Sequence, residues 1–194
     1  MPKTDQTVIQ KTVRMERESL SSANPNTRVN PAALTLRNSP AATDQSDVAT
    51  ILSATDMFTA AEIDIAVSLL AEPIDAGYRF LFADASEGLA GFACYGHIPG
   101  TDRSYDLYWI AVQPACQGAG LGRRLLSAVE RAVIQNGGER LYVDTSGRQQ
   151  YAATRKFYLA AGYAVAAELP DFYRPGDGKI IFCKLLGAAL DMSV

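Results

Sequence analysis

The stretch Gln117-Gly118-Ala119-Gly120-Leu121-Gly122-Arg123-Arg124 joins two segments of different periodicity, and its reading decides the fold. Before it, Tyr105–Val112 (YDLYWIAV) is a short apolar run closed by Gln113-Pro114. Proline cannot continue a ladder, so a strand is expected to stop there. After it, Leu121, Leu125, Val129 and Ala132/Val133 recur at helical spacing. They predict an amphipathic helix over about 121–135, with Arg123, Arg124, Glu130 and Arg131 largely off its apolar face. The three glycines let the backbone approach a ligand that side chains would keep away. At a helix start, unpaired N–H groups and the positive dipole end face such a ligand, most often a phosphate. Two arginines in a first turn run against the dipole preference, and a bound anion would reconcile them.

Two familiar phosphate loops fail against this stretch. A Walker loop needs GxxxxGK[ST], a string the chain does not contain. A dinucleotide fingerprint needs GxGxxG directly after its strand, but counting from Gly118 puts Arg123, and from Gly120 puts Leu125, at the third glycine position. Asp144, near the end of the next expected strand, is the one feature that favours a dinucleotide.

The pattern V-x-P-x-x-Q-G-x-G-[LI]-G is filled by Val112, Pro114, Gln117, Gly118, Gly120, Leu121 and Gly122. It resembles the coenzyme A-binding motif of the GNAT superfamily of N-acetyltransferases, with strand, loop and helix in the required order. The resemblance implies that the loop amides from Gln117 through Gly118, Ala119, Gly120, Leu121 and Gly122 to Arg123 hold the coenzyme pyrophosphate. It also implies that main-chain groups of Ile110, Ala111 and Val112 serve the pantetheine arm and the oxyanion. Acetyl-CoA is then the co-substrate, and no metal is required.

Composition narrows the remaining classes. Of 194 residues 48% are hydrophobic, enough for one domain with a packed core. No apolar run is long enough to span a membrane, and the beginning of the sequence lacks an apolar signal core, so the expected compartment is the cytoplasm. Cys94, Cys116 and Cys183 show no metal spacing, and His97 is the single histidine. A net charge of −3 offers nucleic acid no electrostatic footprint. Residues 1–33 hold five basic against three acidic side chains, which leaves the remainder at −5 and favours a cationic acceptor.

The order of elements is read from periodicity and breakers. Residues 1–33 are mostly polar, with Asn24-Pro25 and Asn30-Pro31 as linker signals and a short helix expected over Val8–Leu20. They are expected to form an extension, flexible or set against a second copy, so a homodimer stays open. Leu34–Arg37 reads as a strand, followed by a helix capped by Thr43 or Asp44 and running to about Thr55. A second helix is expected over 59–70, then strands over 78–83, 89–97 and 105–112. After the glycine loop and its helix come a strand over 140–145, a helix over 150–161, and strands over 163–169 and 179–186. Residues 188–194 form a tail. This succession resembles the GNAT topology over roughly 34–187. It implies an α/β (α+β) fold in which a mixed, mostly antiparallel sheet of about seven strands is flanked by about four helices. The coenzyme A cleft would lie between the splayed fourth and fifth strands.

Acetyl transfer to an amine needs a proton acceptor for the nitrogen, donors for the oxyanion and an acid for the leaving thiolate. The stretch Tyr151-Ala-Ala-Thr-Arg-Lys-Phe-Tyr158 resembles the second motif of the superfamily, which implies that Tyr158 protonates the thiolate. Many members carry asparagine where this chain has Tyr151. The Y-x-x-T-R-x-F-Y pattern of some bacterial members implies instead that Arg155 reaches a coenzyme phosphate. Asp144 is the candidate base, although a carboxylate at a strand end also suits a turn cap. Asp106 and Tyr108 are its rivals. The segment Asp171-Phe172-Tyr173-Arg174-Pro175-Gly176-Asp177-Gly178-Lys179 resembles one that borders the acceptor site in some members, which makes Asp171 and Tyr173 candidate acceptor contacts. The expected function is transfer from acetyl-CoA to a primary amine of undetermined identity, by direct attack in a ternary complex. The alternatives are a non-catalytic acyl-CoA-binding module on the same fold and, further off, a nicotinamide-dependent dehydrogenase.

Overall fold

A strand with apolar side chains on both faces belongs in the middle of a sheet, and Gly88–His97 is such a strand, buried along nearly its whole length. The computed structural model describes residues 34–72 and 76–187. The expected 1–33 extension with its Val8–Leu20 helix, and the 188–194 tail, lie outside the described residues. Among them the elements are β1 (Thr35–Arg37), α1 (Asp44–Ala54), α2 (Ala60–Ser68), β2 (Tyr78–Ala85), β3 (Gly88–His97), β4 (Ser104–Val112), α3 (Leu121–Gln135), β5 (Arg140–Ser146), α4 (Ala152–Ala160), β6 (Ala164–Arg174) and β7 (Asp177–Leu185). The strands form one sheet in the order β1-β2-β3-β4-β5-β7-β6. Only β4 and β5 are parallel; every other neighbouring pair is antiparallel. A doubly wound parallel sheet, as a dehydrogenase reading requires, is not what the chain builds.

Each sheet face carries its own core. On one side Leu125, Val129 and Val133 of α3 and Tyr158 of α4 pack on Leu107, Ile110 and Val112 of β4 and Leu141 and Val143 of β5. On the other side Val48, Ile51 and Leu52 of α1 and Ala66 of α2 pack on Phe80, Phe82, Phe92, Trp109 and Ala111.

The alternation along β4 breaks once. Cys94 pairs with Trp109 but Tyr95 pairs with Leu107, so Tyr108 is an extra residue in β4. The bulge turns Tyr108 and Trp109 to the same face, the α1–α2 side, and a bulge bends and twists its strand. Pairing of β4 with β5 ends at this level, with Leu107 opposite Val143. β5 continues beside β7 as far as Ser146 opposite Lys179, and β4 continues beside β3 to Val112. The two parallel strands therefore part, and a cleft opens between them.

Two local expectations need correction. Neither Thr43 nor Asp44 caps α1 through its side chain. The Asp44 carboxylate is taken instead by Arg37 (Nη1–Oδ2 2.8 Å, Nη2–Oδ1 2.6 Å) and by the Ala41 amide at 2.6 Å. A charge-assisted fork to a buried carboxylate outweighs one neutral cap. The last two strands, expected over 163–169 and 179–186, also extend further toward each other. The strands run to Arg174 and from Asp177, so only Pro175-Gly176 turns, with an irregular register between Leu169 and Arg174.

Arg37 links three elements, because its Nε also donates to Asp84 at 2.7 Å and its guanidinium lies 4.3 Å from the Phe82 ring centre. Burial acts to raise the Asp44 carboxyl, but hydrogen bonds from Arg37 and Ala41 outweigh it and leave the group below its ordinary value. The stabilisation is thus present at neutral pH and lost as the pH falls through the folded-state value. Arg37→Met should destabilise by about 3 kcal/mol, the low end for breaking a buried pair because Arg37 remains a quarter exposed. In urea unfolding the gap from wild type should narrow in acid. An equal gap at both pH values would remove the ion pair as its cause.

Candidate active site

The glycine loop follows β4 through one tight turn at Pro114–Cys116. The turn is held locally by the Cys116 amide donating to Gln113 O at 2.8 Å and the Gln117 side-chain amide to Val112 O at 3.2 Å, and the Gln113 amide ties it to β3 through Ala90 O at 2.8 Å. Gly118 (φ 79°) and Gly120 (φ 78°) take the left-handed conformation that disfavours side chains. A Cβ added at either would meet nothing within 4 Å, so glycine serves the backbone there and the space above is open. The first helical bond of α3 runs from the Arg124 amide to Gly120 O at 3.1 Å. The amides of Leu121, Gly122 and Arg123 therefore precede the ladder, at the positive end of the helix dipole.

A cavity of about 160 Å³ lies at this point. It is lined by Val112, Cys116, Gln117, Gly118, Gly120, Leu121, Gly122 and Arg123, with Phe157 of α4 closing it. Ala119 is half-buried and lies outside this lining. The two arginines separate: Arg123 lines the cavity, whereas Arg124 Nη2 donates to Leu34 O at 3.4 Å and ties α3 to the start of β1. Ile110 and Ala111 are fully buried on the stretch of β4 beyond its pairing with β5.

Tyr158 comes from α4, one residue beyond Phe157. It is fully buried, with ring centres 5.2, 5.4 and 5.7 Å from those of Phe157, Tyr163 and Phe182. It belongs to the same core cluster as Ile110 and Val112 of β4 and Val143 of β5. Arg155 lies away from the cavity lining. Its Nη1 donates to Ser146 O and Arg148 O, each at 2.9 Å, and thereby shapes the connection from β5 to α4.

The opposite side of the cleft is polar. Asp144 follows the last β4–β5 pair by one residue, is 3% exposed, and forms an ion pair with Lys179 of β7. Burial raises its carboxyl above the ordinary value, while Lys179 works against that rise. Further along, Asp177 accepts from Ser146 Oγ at 2.5 Å and pairs with Arg148 at 3.0 Å. Tyr173 is half-buried there, and burial, then Asp144 and Asp177, push its phenol up. Tyr151 Oη donates to Met57 O at 3.3 Å, bringing the start of α4 to the α1–α2 connection. In that connection Phe58 lies 5.0 Å from Trp109.

The other candidates have different placements. Asp106 sits inside the paired part of β4, opposite Tyr142. Tyr108 is at the bulge, edge-on to Tyr78 at 5.3 Å, and burial, then Asp106, raise its phenol, which keeps it protonated and a poor base. Asp171 is exposed at φ 55°, and its Oδ1 accepts from the Gly176 amide at 2.6 Å, which holds the hairpin turn. Lys179, Asp177 and Glu62 were not singled out from the sequence. Lys179 and Asp177 stand in the quoted Asp171–Lys179 segment, but nothing in their spacing says which carboxylate or cation each meets. Glu62 three residues after Thr59 is a capping-box signal, and the box forms.

The Acetyltransferase (GNAT) family model matches residues 49–163, from within α1 to the end of the α4 turn. A GNAT-family protein from Desulfovibrio desulfuricans is 43% identical, with TM-score 0.77, over 79% of this chain and 99% of its own. The Salmonella typhimurium protein yncA, solved with its cofactor acetyl-CoA, has TM-score 0.63 at 21% identity over 84% of this chain and 99% of its own. The aminoglycoside 6'-N-acetyltransferase from Enterococcus faecium has TM-score 0.63 at 16% identity over 78% and 96% respectively. At those lower identities the likeness is one of fold. The more similar relative, the family match and the parted β4 and β5 agree: this chain belongs to the acetyltransferase (GNAT) family.

Proposed function

We propose that the protein transfers the acetyl group of acetyl-CoA to a primary amine, by direct attack within a ternary complex. The observation that carries this reading is the parting of β4 and β5 beyond Leu107 and Val143, with the glycine loop at one end and Asp144 beside it. The loop amides from Gln117 to Arg123 take the pyrophosphate, because helix-start N–H groups and a nearby arginine suit an anion. The freed main chain of Ile110, Ala111 and Val112 pairs with the pantetheine arm as a missing strand would. Arg155 is the more distant phosphate contact, requiring a guanidinium nitrogen other than the one that shapes the β5–α4 connection.

The amine enters from the polar side. As its nitrogen bonds to the acetyl carbonyl carbon it becomes strongly acidic, and its proton passes to Asp144 directly or through water. The oxyanion is met by β4 amides. When the C–S bond breaks, the thiolate takes its proton from the hydroxyl of Tyr158. Tyr173, Tyr108 and Asp106 border the acceptor side, and Asp171 acts through the turn that it holds. The family supports acetyl transfer, and the acidic remainder of the chain favours a cationic acceptor in the cytoplasm.

A panel of small amines, amino acids and peptide N-termini, followed by release of the coenzyme thiol, tests this directly. Thiol release dependent on one class of amine is expected. Binding of acetyl-CoA with no release for any amine would leave a coenzyme-binding module instead.

A further inference from the structure

We propose that Lys179 is a positioning residue for the transfer reaction: from β7 it pairs with Asp144 and holds that carboxylate ionised at the mouth of the β4–β5 cleft. The inference rests on the reading of Asp144 as proton acceptor and adds the residue that makes it competent. Register places the pair. Asp144 lies opposite Ile181 and Ser146 opposite Lys179, so Lys179 reaches back along the ladder to Asp144. Its side chain is 20% exposed, and its ammonium lies 4.9 Å from the centre of the Phe172 ring, which belongs to the irregular part of β6. One cation is thereby fixed between a buried carboxylate and an aromatic face.

The surroundings give Lys179 this role. A carboxylate 3% exposed would ordinarily take up a proton to escape burial, and a neutral acid accepts no proton from an amine. Among the described residues, the other groups facing this region are phenols, carboxylates and two arginines that are held by Asp177, Arg148 at 3.0 Å and Arg174 of β6 at 3.9 Å. Tyr173 of β6 is a phenol held protonated. Tyr108, next along β4 from the last β4–β5 pair, is another. Asp177 of β7 is negative and engages Arg148 and Ser146. From the α1–α2 side the charge that acts on Tyr173 and Tyr151 is Glu62, also negative and bound into the α2 cap. Asp144 itself forms an ion pair with Lys179.

The test is the pH dependence of kcat/KM for an amine found in the panel, compared among wild type, Asp144→Asn, Lys179→Met and Lys179→Arg. Asp144→Asn should abolish the acidic limb of the profile. Lys179→Met should move that limb upward by roughly one to three pH units, the effect of losing an opposite charge at contact distance. Its rate at neutral pH should fall and recover in base, with acetyl-CoA affinity unchanged. Lys179→Arg should return the limb close to its original position. A merely structural lysine would lower the rate at every pH and leave the limb in place. If Lys179→Met does not fold, Lys179→Gln makes the same comparison with a polar, uncharged side chain. A limb that Asp144→Asn removes but neutral residues at 179 leave unmoved overturns the inference and spares the base. A limb that survives Asp144→Asn overturns the base reading, and the inference falls with it.

Discussion

Tyr158→Phe is expected to lower kcat by roughly 100- to 10,000-fold, the range contributed by a positioned general acid. Acetyl-CoA affinity should change by no more than about 1 kcal/mol, the net worth of one hydrogen bond. The substitution retains the ring, and with it the contacts to Phe157, Tyr163 and Phe182 that seat α4. A loss confined to turnover marks an interaction made mainly in the transition state. Pre-steady-state thiol release with an accepted amine is the measurement. Wild-type turnover in the variant would assign the proton to another donor and return Tyr158 to the role its burial already explains, that of a core aromatic.

Gly120→Asp should abolish measurable acetyl-CoA binding while leaving a folded protein. Gly120 is the residue before α3 and sits at φ 78°, with open space where a Cβ would go. Aspartate tolerates the left-handed region better than most residues and is favoured before a helix, so the strain is about 1 kcal/mol. What it changes is the ligand side: a carboxylate stands where amides are to meet phosphate. Gly120→Ala controls for backbone strain and should lose far less affinity. Calorimetry decides, and normal binding by a folded Gly120→Asp variant would end the coenzyme assignment at this loop.

The element order and the backbone of the glycine loop were legible because their signals are short-range. Positive φ at Gly118 and Gly120, the stop at Pro114 and the apolar repeat from Leu121 to Val133 each depend on a few neighbouring residues. The helix expected over 121–135 is the helix that forms. Gly137 (φ 78°) ends it as expected of a glycine just beyond a helix. The acceptor side was less legible. Asp171 carries the same carboxylate that made it a candidate contact, yet that carboxylate closes a turn with Gly176. Arg155 has the charge for a phosphate, yet its Nη1 shapes the β5–α4 connection.

By itself, the sequence determined the strand, glycine loop and helix, the succession of elements and the residue types available for acid, base and anion contacts. Tertiary structure decided how they meet. YDLYWIAV contains no glycine or proline to mark a bulge; Tyr108 becomes the extra residue only because β3 fixes Cys94 opposite Trp109 and Tyr95 opposite Leu107. That bulge coincides with the end of β4–β5 pairing and so with the opening of the cleft. The Asp144–Lys179 pair likewise depends on the register between β5 and β7. Local dihedral and capping chemistry acts over a few residues and can be read from them. Register is set by how the whole sheet buries its two faces, and a slip of one residue would turn each of these side chains to the other side.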